Sequence, residues 1–277
     1  MHAELIRIIE STLEFTYHVG AVTEMIAPHT TGWRTLPYLM TACADARGML
    51  EVAGRGKLFG GATDASCVAP GIHHNCTLLA RRGVSRWSCT TFTVFGGIDL
   101  FLLLETPLLL HGADAARIGE LNTELAELAR TAPQTLQPLA RRKMLGFAML
   151  DTIASVSRWR EQNPIVRDTQ RLLDVLTHIH QNSGKRIRVD DLARRAHLSV
   201  ARFHAVFREG TGLAPQQYIL RMRIRKAQEL LIRTDLSVGE IAASVGQPDA
   251  LFFSRIFKKK CGLSPRQYRA QTAAAFV

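Results

Sequence analysis

The chain has 277 residues, 47% hydrophobic and 21% charged, a composition that excludes disordered and collagen-like classes. At roughly 100–200 residues per domain it predicts two folded units. The formal charge is +11; residues 165–277 hold 20 Lys/Arg and 9 Asp/Glu while residues 1–164 hold 15 of each, so the whole excess lies in the last segment. Neutralising phosphates releases condensed counterions, so a basic module joined to a neutral one fits DNA-backbone binding.

The amino terminus spreads Glu4, Arg7, Glu10 and Glu14 through its apolar residues, unlike a secretory signal. The longest apolar run, Ile98 to Gly112, is broken by Asp99, Glu105 and Pro107 and falls short of the roughly 20 residues that span a bilayer. The expectation is a cytoplasmic protein with no membrane partner. The five cysteines (Cys43, Cys67, Cys76, Cys89, Cys261) are odd in number and form no Cys-x-x-Cys pair, which favours buried, reduced thiols.

From about residue 33 to 110, short apolar segments are broken by Gly, Asp and Pro: Leu36–Met40, Gly48–Val52, Cys67–Gly71 and Trp87–Phe95. They read as strands of a small antiparallel barrel or sandwich. Trp33, Tyr38, His73, His74 and Trp87 are candidate linings of an effector pocket. His29, His73, His74 and His111 supply metal-ligand chemistry, but neighbours on a strand point to opposite faces, so His73 and His74 cannot both enter a lumen. No metal and no cofactor are therefore expected.

Ile118, Leu121, Leu125 and Leu128 follow coiled-coil-like spacing, and a second amphipathic stretch runs from Leu139 to Trp159, with Pro133 and Pro138 between them. This predicts a helical hairpin, either packed on its own barrel or, the favoured reading, pairing through its leucine seam with a second copy of the chain. Gln162-Asn-Pro164 marks a linker. The expected division is 1–112 sensor, 113–161 hairpin, 162–168 linker and 169–277 DNA-binding domain.

The basic segment repeats itself. Phe207-Arg-Glu-Gly-Thr-Gly212-Leu-Ala-Pro215-Gln-Gln-Tyr218 recurs fifty positions later as Phe257-Lys-Lys-Lys-Cys-Gly262-Leu-Ser-Pro265-Arg-Gln-Tyr268. A short helical pattern precedes each copy, Asp190–Ala196 and Val238–Ser244, in which Leu192-Ala193 matches Ile241-Ala242 at an offset of forty-nine, so one turn has an extra residue. Leu192 and Ala193 face Phe203, Val206 and Phe207, as Ile241 and Ala242 face Phe253, Ile256 and Phe257, at the i, i+3, i+4 spacing of a buried stripe. Each unit, about 189–218 and 237–268, is a helix, a tight turn and a longer helix whose outer face is free to enter a major groove. Ile219–Arg233 reads as one connecting helix, able to hold two recognition helices about 34 Å apart.

These residues resemble the DNA-binding domain of the AraC/XylS family of bacterial transcription regulators. The resemblance covers about residues 172–270 and rests on Leu192-Ala193, Ser199, Phe203, Phe207, Gly212, Pro215, Tyr218, Arg223, Ala227, Leu230-Leu231, Ile241-Ala242, Gly246, Phe253, Phe257-Lys258 and Gly262–Arg269. It implies base contacts from Ala201, Arg202, His204 and Ala205 in the first unit and from Ala250, Leu251, Ser254 and Arg255 in the second. Arg202 and Arg255 suit bidentate contacts to guanine and the alanines suit a thymine methyl; Arg208, Lys258 and Lys259 suit phosphate. Gln247-Pro248 departs from the phenylalanine usual after the second turn's glycine. The order of Tyr38, Asp45–Gly48, Ala69–Gly71 with His73-His74, and Trp87–Phe95 is similar to the family's cupin-type sensor, which implies a barrel, and the family also implies dimers.

The expected function is a sequence-specific, effector-responsive transcription activator. Its expected partners are double-stranded promoter DNA, a second copy of the chain, RNA polymerase and a small-molecule effector. The alternatives are a constitutive DNA-binding protein, marked by lack of a connected pocket, and a metal-bearing cupin enzyme with a DNA-binding tail, marked by stoichiometric metal. No nucleophile, acid/base pair or phosphate loop stands out, so an enzyme is not expected.

Overall fold

The computed structural model describes residues 3–133, 135–167 and 169–274; Asp168, the end of the expected linker, lies outside them, as do Met1, His2, Gln134 and residues 275–277. The chain divides into two compact units, one of Glu10–Val94 with Asp99–Arg160 and one of Met1–Ile9, Phe95–Ile98 and Glu161–Val277. Among the described residues no helix is long and apolar enough to cross a membrane.

After α1 (Ala3–Thr12) the strands are β1 (Glu14–Ile26), β2 (Arg34–Thr35), β3 (Leu39–Ala44), β4 (Gly48–Val52), β5 (Gly56–Gly60), β6 (Ala65–Val68), β7 (His73–Leu78), β8 (Arg82–Val94), β9 (Ile98–Asp99), β10 (Leu104–Glu105) and β11 (Leu109–Leu110). One antiparallel sheet has the order β1-β8-β3-β6-β11, with β9 on β8, and a second has the order β2-β7-β4-β5. The two sheets are not closed into a barrel, which corrects the sequence expectation. The physical reason is the path of the chain: short links such as Asp45–Arg47 and Leu79–Arg81 pass it from one sheet to the other, so consecutive strands such as β3 and β4 do not pair. Strand β1, which precedes the region read as strands, pairs with β8 from Glu14↔Thr93 to Ile26↔Arg82.

Period-two alternation gives β3 two jobs. Met40, Ala42 and Ala44 face the interior between the sheets. Thr41 points the other way, toward α2 (Gly112–Thr131). That helix and α3 (Leu136–Ser155) pack on each other, and α2 lies against β1, β3 and β8. Asn122 clamps it down: its Oδ1 accepts from Thr41 Oγ1 (3.0 Å) and Ser88 Oγ (2.6 Å), and its Nδ2 donates to the carbonyls of Thr41 (3.3 Å) and Arg86 (3.0 Å).

The leucine seam is a second correction. Ile118, Leu121 and Leu125 are fully buried and Leu128 partly so, because this stripe is the face that α2 turns to its own unit. It is not available to a second copy. The α3 helix ends at Ser155 rather than continuing to Trp159, because Arg158 and Trp159 form β12, paired with β10.

The second unit is helical. The expected linker opens with α4 (Pro164–Arg167), whose Ile165 and Val166 are buried. Helices α5 (Thr169–Asn182), α6 (Val189–Arg195), α7 (Val200–Thr211), α8 (Pro215–Arg233), α9 (Val238–Ser244), α10 (Ala250–Cys261) and α11 (Pro265–Ala274) follow. The carboxy-terminal half of α8 supplies Ile224, Ala227 and Leu231 to one core with Ile241, Ala242, Val245, Phe253 and Phe257. In the other core Leu192, Ala193, Phe203, Phe207 and Tyr218 are fully buried. A single helix thus serves both repeats.

Candidate nucleic-acid interface

The repeated residues build the same device twice. Gly212 and Gly262 end α7 and α10 at φ +74° and +78°, a left-handed conformation that glycine enters without Cβ strain. Pro215 and Pro265 then begin the next helices, where a missing N–H goes unmissed. Gln217 and Gln267 accept from the backbone N–H of Ala214 (3.3 Å) and Ser264 (3.0 Å). Tyr218 and Tyr268 pack edge-on against Phe207 and Phe257, with centroids 5.5 Å apart in both pairs. Burial raises both phenols above their ordinary pKa.

The two turns share a backbone and differ by one residue. The N–H of Leu198 donates to the Ala193 carbonyl (2.9 Å) and that of Gln247 to the Ala242 carbonyl (2.8 Å), an offset of forty-nine. His197 and Gly246 both take positive φ, +53° and +71°. The caps that start the next helices, Ser199 and Asp249, are fifty apart. Pro248 is therefore the inserted residue, and the departure at Gln247-Pro248 leaves the turn itself unchanged. Ser199 accepts from Arg202 N–H, whereas Asp249 accepts from both Leu251 and Phe252 N–H (2.9 Å each).

With Phe203, Val206 and Phe207 turned inward, α7 exposes Ala201, Arg202, Ala205 and Arg208, and His204 is half-buried at the edge. In α10 the exposed face carries Leu251 (77% exposed), Phe252 (45%), Arg255, Lys258 and Lys259. Ala250 is half-buried against the second core, and the Ser254 hydroxyl donates back to the Ala250 carbonyl (2.8 Å). These two are less open to a partner than the rest of the expected set. Phe252 and Lys260 lie on the exposed face as well but were not singled out from sequence. The signal was there: Phe253 and Phe257 fix the inward direction, which turns Phe252, 100° around the helix, outward.

Ion pairing separates the cations by helix. Those of α6 and its cap are engaged: Arg188 with Asp190 (3.3 Å), Arg194 with Asp191, and Arg195 with Asp174 (3.0 Å). Arg202, Arg208, Arg255, Lys258 and Lys259 form no ion pair among the described residues, so they are available to anions. Arg223 is structural, its Nε donating to the Ser183 carbonyl (3.0 Å) and Nη2 to that of Lys185 (2.9 Å).

Between the two sheets lies a cavity of about 520 Å³, within the roughly 300–1,000 Å³ of small-molecule sites. Tyr38 and Trp87 line it; Trp33, His73 and His74 are not among its lining residues. Trp33 stacks on His73 at 5.1 Å on the surface. His74 is buried, its Nδ1 bonded to the Ile72 carbonyl (2.9 Å); burial first, then neighbouring Arg34 and His73, lower its pKa. The other candidate ligands are dispersed: His111 pairs with Asp64 (2.8 Å), and His29 serves through its backbone carbonyl. Among the described residues no three His, Cys, Asp or Glu gather as a metal site. All five cysteines are free thiols.

A helix-turn-helix family model matches residues 192–271. The Msm operon regulatory protein of Streptococcus mutans is 40% identical over 93 residues, 34% of this chain and 34% of that protein. The transcriptional activator RhaS of Escherichia fergusonii is 30% identical over 153 residues, 55% of this chain and 53% of its own length. Residues 192–271 form an AraC-type DNA-binding domain. A solved structure of the DNA-binding domain of AdpA with a target DNA is 33% identical, covering 38% of this chain and 95% of that one, with a TM-score of 0.37. The chain spans from a third to rather more than half of the length of the first curated relatives it matches. The AraC-type domain therefore coincides with α6 to α11, the segment that carries both helix-turn-helix units.

Proposed function

We propose that this chain is a sequence-specific regulator of transcription that presents α7 and α10 to successive major grooves of promoter DNA. The observation that carries this is the duplicated helix-turn-helix with two exposed, cation-bearing faces on one connector. Helix α8 has 19 residues, a length of about 28 Å at 1.5 Å per residue, commensurate with the roughly 34 Å between successive grooves. The amino-terminal half acts as the sensor, a cupin-like design opened into two sheets, with a small-molecule effector between them. The division into sensor, hairpin, linker and DNA-binding domain, a cytoplasmic location, and activation through RNA polymerase belong to the same proposal.

Self-association, also part of the proposal, needs a face other than the buried leucines of α2. Helix α3 offers one: Leu136, Leu139, Met144 and Phe147 are exposed and fall within one side of the helix.

Genome-wide footprinting with the full chain and an Arg255→Ala variant tests the regulator reading. Paired sites about one helical turn apart, with discrimination relaxed by the variant at one position, are expected. Protection that is uniform across sequences and responds only to salt would sink it.

A further inference from the structure

We propose that the cavity between the sheets takes an amphipathic monocarboxylate, with the carboxylate on Arg34 and a hydrocarbon or aryl body along the apolar walls. The inference rests on the reading of this unit as the sensor and names the class of its ligand. The walls are mainly hydrocarbon and thioether, Met25, Leu36, Met40, Leu50, Leu78 and Leu109 among them; of the polar residues that also line the cavity, Thr23, Thr31 and Ser66 are already engaged with Trp87, Asn75 and the Ala42 carbonyl. Sugars and other polyols find few partners there, because each buried hydroxyl needs its own hydrogen bond.

Arg34 breaks that pattern. It lines the cavity, its Nε is buried with no hydrogen-bond partner, and it forms no ion pair among the described residues. Unlike lysine, arginine cannot shed its charge to escape burial. Neither the carboxylate that lines the cavity nor that of β4 neutralises it, and neighbouring His74, whose pKa burial and Arg34 lower, brings no negative charge. Asp64 is taken by the Gly61 N–H (2.7 Å) and His111 (2.8 Å), and Glu51 by Lys57 (3.2 Å) and Asn75 (3.2 Å). Cys76 and Cys89 share the cavity, but burial pushes both thiols up despite the opposing pull of Arg34, so they remain uncharged near neutral pH.

A carboxylate answers this geometry because its two oxygens match the parallel N–H donors of a guanidinium edge. One cation matches one negative charge. A phosphate monoester brings a second charge into an apolar cavity, and an alcohol leaves part of the fork unpaired.

Isothermal titration of the full chain with decanoate, 1-decanol and decyl phosphate tests the assignment. The expected result is 1:1 binding of decanoate, at least about tenfold tighter than either analogue. In Arg34→Gln, decanoate should weaken about 10- to 100-fold with decanol unchanged, and Arg34→Lys should restore only part of the loss. An Ala42→Phe variant, which fills the cavity with Arg34 intact, should abolish binding. Equal affinity for decanoate and decanol, preference for decyl phosphate, no binding of any probe, indifference to Arg34→Gln, or survival of binding in Ala42→Phe each overturns the proposal. Footprints with and without decanoate keep the sensor reading separate: binding that leaves DNA occupancy unchanged sinks the sensor and leaves the ligand class standing.

Discussion

Asp249 shows how one residue can set the start of a helix. It closes two of the open N–H groups at the start of α10, where Ser199 closes one for α7, and as an anion it also meets the positive end of the helix dipole. Asp249→Ala should therefore destabilise the domain by about 1–2 kcal/mol, read as a lower urea midpoint. Ser199→Ala should cost about 1 kcal/mol or less, so equal effects would mean the second cap is redundant. Gly246 carries the turn just before it, at φ +71°, and a Cβ there would meet the Arg223 guanidinium and the Gly184 carbonyl at 3.0 Å. Ser199 and Gly246 were legible in sequence, because cap and turn chemistry is local, whereas Asp249 follows the same rule without having been read as a cap. The identity of the inserted residue was not legible; it became plain only when hydrogen bonds fixed which positions correspond.

At the scale of elements, periodicity told which face of a helix is buried but not what buries it. The α2 stripe has the spacing of a self-pairing seam, and the same spacing serves equally for packing on a sheet. What settles its direction is Asn122, on the same face, with all its polar capacity met by β3 and β8. Asn122→Leu should leave the Thr41 and Ser88 hydroxyls with each other (3.3 Å) in place of the amide and lower stability by about 1–3 kcal/mol; a midpoint unchanged in urea would show the clamp to be dispensable. Gly146 of α3 lies so close to the Phe15 ring that an added Cβ would approach it to 2.3 Å, and Gly146→Ala should likewise destabilise the hairpin, by about 1–3 kcal/mol. The sheets were the least legible part. The β1–β8 pairing joins residues some seventy positions apart, and β1 turns Val22 and Ile26 to the exterior while Thr23 and Met25 line the cavity, so its apolar residues stand on both faces and do not mark the buried one.

For the whole molecule, the decisive quantity is where the charge sits. All of the net +11 belongs to residues 165–277, and there the cations of α6 are spent on neighbouring carboxylates while those of α7 and α10 are not. On the proposed reading, the unpaired cations of α7 and α10 are the readiest to displace counterions from DNA. Each phosphate neutralised contributes about 0.9 to the slope of log affinity against log salt. Lys258→Ala with Lys259→Ala should thus flatten the slope by about 2 and weaken all sequences alike, whereas Arg255→Ala should weaken the preferred site above all. The two lysines also sit in the last turn of α10, where they complement the helix dipole, so thermal melts must show the double variant folded at the assay temperature. Removing two exposed cations of the neutral unit, Arg55→Ala with Arg130→Ala, provides the contrast. An equal change of slope in that variant would mean that association follows overall charge rather than the faces of α7 and α10, and the assignment of Lys258 and Lys259 to phosphate would fall.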